Sequence, residues 1–444
     1  MMQHSVVVGL GKTGASCLRY LAKRGIPVSA TDTRRTPPGL AELGDLANSL
    51  DLRLGGFDLS LLDGATQVLM SPGVSLDEPI ARAARDRGID VLGDVELFAR
   101  NVQAPVIGIT GTNGKSTVTS LVARMAAAAG RKVLAGGNLG EPALDLLEQP
   151  TPDLYVLELS SFQLETTYSL RLQAAVVLNV TADHLDRYPS VAAYALAKSR
   201  IFAHAATVVL NADDPLVAAM RGGTPKRTVT FSIERADADF TLLQSGAQTL
   251  LARRGQGLLD VSRMKITGLH NAANALAALA LGDAVGLPTA AMIDALVSFP
   301  GLPHRSEWIA DVAGVRYIDD SKGTNVGATI AAVAGMPGPL VMIAGGEGKG
   351  QDFTPLGPAF RGKVRHAVLI GKDAPAMAAA LAGVCSTEPV ASMQEAVAAA
   401  ARIARAGDTV LLSPACASLD MFRDYGHRGD VFAAAVRELE RRPA

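Results

Sequence analysis

The sequence predicts an α/β protein of three domains: an N-terminal Rossmann-like domain, a central P-loop ATPase-like parallel sheet, and a C-terminal Rossmann-like doubly wound sheet. Three observations predict it. The chain has 444 residues, enough for about three domains. Short apolar runs of strand type alternate with alanine-rich helical stretches. Glycine-rich turns directly follow strands and open helices at residues 9–14 and 111–114.

Composition narrows the class. Hydrophobic residues make up 48% and charged residues 19%, which suits α/β domains with sizeable cores. The formal net charge is −1 and like charges do not run in blocks, so a broad nucleic-acid or acidic-membrane surface is not expected. The three cysteines, Cys17, Cys385 and Cys416, are too scattered for a disulfide framework or a zinc site, which fits a reducing cytoplasm. The chain enters a strand by Val6 without a signal peptide, and the alanine-rich stretches near 271–297 and 375–404 are broken by polar residues, so no membrane insertion is expected. A monomer is the expectation for its assembly.

In the first domain, 1–93, a strand at 5–8 precedes Gly9-Leu-Gly-Lys-Thr-Gly14, a helix, and a second strand ending at Asp32. This meets the G-x-G-x-x-G template with an acidic residue downstream. Its physics is a pyrophosphate at a helix N-terminus plus a hydrogen-bonding carboxylate, so NAD and a UDP-sugar both fit. A strand near 68–70 leads into Ser71-Pro72-Gly73, a plain turn or a ligand-facing one.

The central domain, 94–300, is built around Val106-Ile-Gly-Ile-Thr-Gly-Thr-Asn-Gly-Lys-Ser-Thr117. A glycine-bracketed turn between strand and helix aims backbone N–H groups at one point, with the positive helix end behind them. Lys115 can reach terminal phosphates and the Ser116 hydroxyl is placed for Mg²⁺. Ile109 occupies the position where the strict P-loop has its first glycine, so the pattern is irregular. Glu158 lies among apolar residues at the end of a buried strand; an ion or a structural partner must offset that charge. His184 follows the strand near 174–179 in a polar loop, and Lys198 lies on a helix over about 191–202, where solvation alone would explain it. Residues 224–262 alternate apolar and polar with glycines, suggesting antiparallel strands. Asn271 and Asn274 sit one turn apart near a helix start, to contact a base or cap the helix.

Two prolines and a glycine in residues 298–304 suggest a linker to the third domain, 301–444. There, polar clusters repeatedly follow strands: Asp319-Asp320-Ser-Lys322-Gly-Thr324-Asn325, the glycine-rich run holding Lys349, and Ser413-Pro-Ala-Cys-Ala-Ser418. A doubly wound sheet would put Asp320, Lys349 and Ser418 on one rim.

Taken together, Thr110-Gly-Thr-Asn-Gly-Lys-Ser-Thr117, Asn211-Ala-Asp-Asp214, His304-Arg305-Ser-Glu307 and Asp320-Ser-Lys-Gly-Thr-Asn325 resemble the Mur ligases. These are ATP-dependent amide ligases that build the peptidoglycan stem peptide. The N-terminal Gly-Leu-Gly-x-Thr-Gly with Asp32-Thr33-Arg34, and Ser413-Pro-Ala-Cys-Ala-Ser418-Leu-Asp, look like the D-glutamate-adding branch. One departure is Gly323, where the family motif usually has alanine; it adds backbone freedom and removes no functional group.

The resemblance implies an ATP-dependent ligase of the cytoplasm joining D-glutamate to UDP-MurNAc-L-Ala through an acyl phosphate. It implies ATP contacts at Gly111, Thr112, Asn113, Gly114, Lys115, Ser116, Thr117, Asn271, Arg305 and Asp320. It implies UDP-sugar contacts at Gly11, Lys12, Thr13, Gly14, Asp32, Thr33, Arg34, Ser71, Gly73, Asn138 and His184. Lys322, Thr324, Lys349, Ser418 and Tyr425 match the D-glutamate side. Two Mg²⁺ ions are implied, with ligands among Ser116, Glu158, His184 and Lys198, the lysine as a CO₂-derived carbamate. Lys115, Glu158, His184 and Lys198 are the catalytic set so implied. Because amine and ATP fall to different domains, closure about residues 298–304 is expected before chemistry.

Several rivals remain. An L-glutamate-adding relative differs in nothing that spacing can show. A folylpolyglutamate synthase-like ligase shares the Gly-Thr-Asn-Gly-Lys loop but usually lacks the first domain. A dinucleotide-dependent oxidoreductase leaves the phosphate loop unexplained, and a P-loop switch protein would need an Asn-Lys-x-Asp motif that is absent.

Overall fold

The computed structural model describes residues 4–221, 227–266, 268–336 and 338–441. It contains three sheets in chain order. The first has five strands, β1 (Ser5–Val8), β2 (Val28–Asp32), β3 (Asp51–Leu54), β4 (Gln67–Met70) and β5 (Asp90–Leu92), in the order β3-β2-β1-β4-β5. Every pairing in it is parallel. The order reverses at β1, so the carboxyl ends of β1, β2 and β4 open on one crevice, the usual ligand position in such sheets. Val6, Val8, Val68 and Met70 pack with Ile80, Ala81 and Ala84 of the helix Pro79–Asp86.

The second sheet contains β6 (Val106–Thr110), β7 (Val133–Gly137), β8 (Leu154–Glu158), β9 (Leu172–Val177), β10 (Ala205–Asn211), β11 (Arg227–Ser232), β12 (Phe240–Ser245), β13 (Gln248–Arg253) and β14 (Gln256–Asp260). Their order is β14-β13-β12-β11-β10-β9-β6-β8-β7. β6 lies between β8 and β9 and is buried along its whole length, which explains its unbroken apolar run. The expected antiparallel set at 224–262 holds for β12 and β13 and needs correction at β11. β11 runs parallel to β10 and to β12, and the observed reversal is the β12–β13 hairpin. Alternation reports which face a side chain takes, not strand direction. The first residues of that stretch, 224–226, lie outside the described residues.

The third sheet holds β15 (Glu307–Val312), β16 (Val315–Asp319), β17 (Leu340–Gly345), β18 (Val364–Ile370), β19 (Ser386–Pro389) and β20 (Thr409–Leu412), ordered β15-β16-β20-β17-β18-β19. Only β15 runs antiparallel to its neighbour. β17 shows why it is doubly wound. Leu340, Met342 and Ala344 pack into one core with Val333, while Val341 and Ile343 pack into another with Val397, Phe432 and Val436. β16, β20 and β17 are adjacent and parallel, so the loops after them share one rim.

The chain separates into two compact units. The first contains the five- and nine-stranded sheets; the second contains the six-stranded sheet with Thr181–Val191 and the described part of Asp260–Ala273. Within the first unit the helix Lys12–Lys23 is tied to the nine-stranded part. Ser16 Oγ donates to Asp145 at 2.7 Å, Arg19 meets Asp145 at 2.9 Å, and Arg24 meets Glu148 at 2.7 Å, with Lys23 on the same Glu148. Among the described residues no helix is long and apolar enough to cross a membrane, and the cysteines are unpaired.

Candidate functional site

A pocket of about 480 Å³ opens at the carboxyl ends of β1, β2 and β4 in the first unit. Gly11, Lys12, Thr13, Asp32, Thr33, Arg34, Ser71, Gly73 and Asn138 line it. Gly14 is not on its wall. A Cβ there would stand 2.0 Å from the Gly9 carbonyl oxygen, so its task is to let helix and strand approach. Gly9 itself has φ +91°, and a Cβ would meet Val74 at 2.7 Å. Ser71 Oγ donates to the Gly9 carbonyl at 2.6 Å, and Lys12 Nζ to that of Gly140 at 2.7 Å. The Asp32 carboxylate is buried. It accepts from Leu10 N at 2.6 Å and from Arg34 through Nε at 2.9 Å and Nη2 at 2.7 Å. Burial alone would raise its pKa; Arg34 and the backbone donors outweigh that and hold it below the ordinary carboxylate value. Asp32 thus anchors Arg34, whose side chain stays half exposed at the pocket.

The phosphate loop follows β6. Gly111 (φ +153°) presses on Leu178, and Gly114 (φ +85°) leaves no room for a side chain against Asn274 Oδ1, 2.3 Å from an ideal Cβ. The helix Lys115–Ala128 starts at this loop with Ser116 and Thr117 buried in its first turn. Lys115 Nζ donates to the carbonyls of Gly111 (2.9 Å) and Thr112 (2.8 Å). Lys198 is 1% exposed, far from the solvated lysine that its helix alone suggests. Its Nζ donates to the same Gly111 carbonyl at 2.9 Å and lies 4.3 Å from the Tyr194 ring centre. The structure therefore brings the two lysines to one carbonyl. The backbone N–H groups of Thr112 and Asn113 point elsewhere, to Asn179 O (2.9 Å) and Asn179 Oδ1 (2.8 Å).

Glu158 ends β8 and is 3% exposed. Asn138 Nδ2 donates to its Oε1 at 2.7 Å, linking the pocket to the phosphate-loop sheet. Its Oε2 is buried with no hydrogen-bond partner among the described residues. An ionised oxygen in that state is costly, and a bound cation would satisfy it.

In the second unit, Asp320 is buried and accepts from Ser306 N at 3.0 Å and Ser413 Oγ at 2.8 Å. Burial pushes its carboxyl up to about 7, against the donors that pull it down. Arg305 acts on it electrostatically and is half-buried. Gly323 is also closely packed. A Cβ there would lie 2.7 Å from Ser413 Oγ and 2.8 Å from Asp320 Oδ2, in the space their bond occupies. Lys322 Nζ sits 3.9 Å from the Tyr425 ring centre, and Thr324 N donates to Lys322 O at 2.8 Å. Lys349 (φ +53°) reaches Asp183 at 3.6 Å, and Asn325 Nδ2 donates to the same carboxylate at 3.2 Å. His184 (φ +54°) adjoins that carboxylate, with Nε2 at 3.8 Å. Ser418 is buried and Asn271 is 8% exposed. Arg428, fully buried, donates to Ser321 Oγ and O and to the carbonyls of Cys416 and Ala417, so it fastens the Lys322 loop to the Ser418 loop. His304, Glu307 and Asp319 also bring ligand-type atoms within 4.8 Å of one another. They use them on each other: His304 Nδ1 meets Asp319 at 2.7 Å and His304 N donates to Glu307 at 2.8 Å.

Family models match three consecutive stretches: the N-terminal domain of MurD-like Mur ligases over residues 3–93, the Mur ligase middle domain over 109–282, and the Mur ligase glutamate ligase domain over 304–416. The chain belongs to the Mur ligase family. It is 56% identical over 438 residues to the UDP-N-acetylmuramoylalanine–D-glutamate ligase of Nitrosococcus oceani, covering 98% of this chain and 96% of that one. Identity to the like-named protein of Methylococcus capsulatus is 50%, covering 98% and 94%. Among solved structures, the UDP-N-acetylmuramate-alanine ligase of Thermotoga maritima superposes with a TM-score of 0.62 at 20% identity, covering 99% of this chain and all of that one. A MurF of Acinetobacter baumannii gives 0.64 at 17%, covering 99% and 94%. At that identity the likeness concerns the fold.

Residues of this Mur ligase that the sequence did not single out include Phe57, Val74 and Gln163 in the pocket, and Asp183 and Arg428. Gln163 carried a readable signal: Ser160 and Gln163 form a capping box, the S-x-x-Q pattern of a helix start. Phe57 and Arg428 carried none.

Proposed function

We propose that the chain joins D-glutamate to UDP-N-acetylmuramoyl-L-alanine with hydrolysis of ATP to ADP and phosphate, in cytoplasmic peptidoglycan precursor synthesis. The observation that carries this reading is identity of 50–56% over 98% of the chain to two proteins named for that reaction, on a chain whose first unit holds both a pocket of about 480 Å³ and a phosphate loop. Domain limits near 93 and 300 belong to the same proposal.

The substrate carboxylate is a poor acyl donor until its oxygen is lost as part of a better leaving group. In the proposed course one carboxylate oxygen attacks the γ-phosphorus and ADP leaves. Lys115 and the helix N-terminus at Ser116 and Thr117 take up charge on the transferring group. The Gly9–Gly14 turn, Arg34, Ser71 and Asn138 hold the UDP-sugar, so that its carboxylate is delivered in a fixed orientation. Asn271, Arg305 and Asp320 are assigned to ATP, and Lys322, Thr324, Lys349, Ser418 and Tyr425 to D-glutamate. The amine then attacks the acyl carbon, phosphate departs with the former carboxylate oxygen, and the amine gives up a proton. Ser116 and Glu158 fit one Mg²⁺, since Glu158 Oε2 is a buried oxygen without a partner among the described residues. His184 and Lys198, the latter as a carbamate, are assigned to a second. When bound, Mg²⁺ supplies positive charge to the phosphate oxygens. Carbamylation converts the Lys198 ammonium, which would repel a cation, into an oxygen ligand.

Phosphate release tests the assignment directly. With ATP and UDP-MurNAc-L-Ala present, D-glutamate should trigger release while L-glutamate and folate should not. Release with L-glutamate would move the chain to the L-isomer branch. Turnover that needs NAD(P) and no ATP would remove the ligase reading.

A further inference from the structure

The Asn211-Ala-Asp-Asp214 run has no part in the reaction as drawn, yet it is bonded to the phosphate loop at one remove. β9 is followed by Leu178, Asn179 and Val180, and this segment lies against the loop. Leu178 N donates to Thr110 O at 2.9 Å, and Leu178 Cβ would stand 2.9 Å from a Cβ at Gly111. Asn179 grips the next two residues. Its carbonyl accepts from Thr112 N at 2.9 Å, its Oδ1 accepts from Asn113 N at 2.8 Å, and its Nδ2 donates to Asn113 O at 3.1 Å. The side-chain amide therefore satisfies both backbone groups of Asn113, as a neighbouring strand would.

The run at 211–214 fixes that segment from its other side. Asn211 Nδ2 donates to Leu178 O at 2.9 Å, and Asp214 Oδ2 accepts from Val180 N at 2.7 Å. Asp214 Oδ1 meanwhile caps the helix Pro215–Ala218 through Leu216 N and Val217 N, and Asp213 N donates to Asn211 Oδ1 at 2.9 Å. Each polar atom thus has a stated partner, and the chain of bonds runs from the end of β10 to the loop without a gap.

We propose that Asn179 is a positioning residue for the nucleotide, holding the phosphate loop in its binding shape, and that Asn211 and Asp214 form the bracket that holds Asn179. The proposal rests on the loop's assignment to ATP. Asn179 does not touch the phosphates; it turns the Thr112 and Asn113 amides inward, so that the helix N-terminus after Gly114 presents the remaining donors. A loop ordered in advance spends less binding energy on ordering.

The test is steady-state kinetics on the full chain with ATP and the UDP-sugar varied separately. Asn179→Ala removes two side-chain hydrogen bonds and should raise KM for ATP about tenfold, leave KM for the UDP-sugar unchanged, and change kcat less than KM. Asn211→Ala, one step further from the loop, should raise KM for ATP about two- to fivefold with the same selectivity. An Asn179→Ala enzyme with the parent KM for ATP would overturn the proposal. So would equal rises in both KM values with a lowered thermal midpoint, the mark of a general structural role. If Asn179→Ala does not fold, Asn211→Ala decides by the same criteria. Lys115→Ala separates the premises: should it keep the parent KM for ATP, the loop is not the nucleotide site and the proposal falls with it. If Lys115→Ala loses ATP and Asn179→Ala does not, only the positioning role fails.

Discussion

Asp320 and Lys198 show how far a single side chain departs from its type once it is buried. Burial holds the Asp320 carboxyl at about 7 instead of 3.8. The folded chain then binds that proton more tightly than the unfolded one, so stability falls as pH rises through this interval. Asp320→Asn has no such proton to lose. Its thermal midpoint relative to the parent should climb between pH values of about 4 and 7 and level off above; a constant offset would contradict the assignment. For Lys198, burial beside the Gly111 carbonyl motivates the carbamate. Lys198→Ala should lower kcat at least about 100-fold, with partial recovery in millimolar short-chain carboxylates. No recovery at any carboxylate concentration would count against it. What was legible at this scale was charge in the wrong company: Glu158 stood out because four apolar residues precede it in β8. Arg428 was not, because nothing in its local sequence says which distant carbonyls it will meet.

At the scale of elements, the turn after β1 makes the most stringent demand. Gly14→Ala would place a methyl 2.0 Å from the Gly9 carbonyl oxygen, within the backbone itself, so the helix must move off the strand. The expected cost is about 1–3 kcal/mol in denaturant unfolding, with UDP-sugar affinity reduced at least about tenfold. Parent-like stability and affinity would show that the crossing is looser than drawn. Central strands were readable because parallel strands covered on both faces are continuous apolar runs, as in Val106-Ile-Gly-Ile and Leu340-Val-Met-Ile. The edge strands β3 and β19 were not. β3 is Asp-Leu-Arg-Leu, alternately exposed and half-buried, and β19 is Ser-Thr-Glu-Pro with none of its residues fully buried. The direction of β11 was also beyond reach, since period two is the same for parallel and antiparallel pairing.

At the scale of the whole molecule, three sheets in sequence were legible, and so was the rim shared by Asp320, Lys349 and Ser418, because strand-then-polar-cluster repeats imply it. The grouping of the first two sheets in one compact unit was not legible. Its contacts include ion pairs between residues more than a hundred positions apart, such as Arg19–Asp145 and Arg24–Glu148, each of which looks like an ordinary solvated charge in sequence. That grouping is what gives the pocket walls from both sheets, with Asp32 and Arg34 on one and Asn138 on the other. Through Asn138, one hydrogen bond from Glu158, the pocket is coupled to the sheet that carries the phosphate loop.

In the proposed reaction the phosphate loop passes a γ-phosphoryl group to a carboxylate held by this pocket, and oxygen tracing follows that transfer. UDP-MurNAc-L-Ala labelled with ¹⁸O in the alanine carboxylate is incubated with ATP and D-glutamate, and the inorganic phosphate is examined by mass spectrometry. One labelled oxygen per phosphate released, matched to one amide formed, is the predicted result. Unlabelled phosphate accompanying amide formation would contradict the acyl-phosphate course.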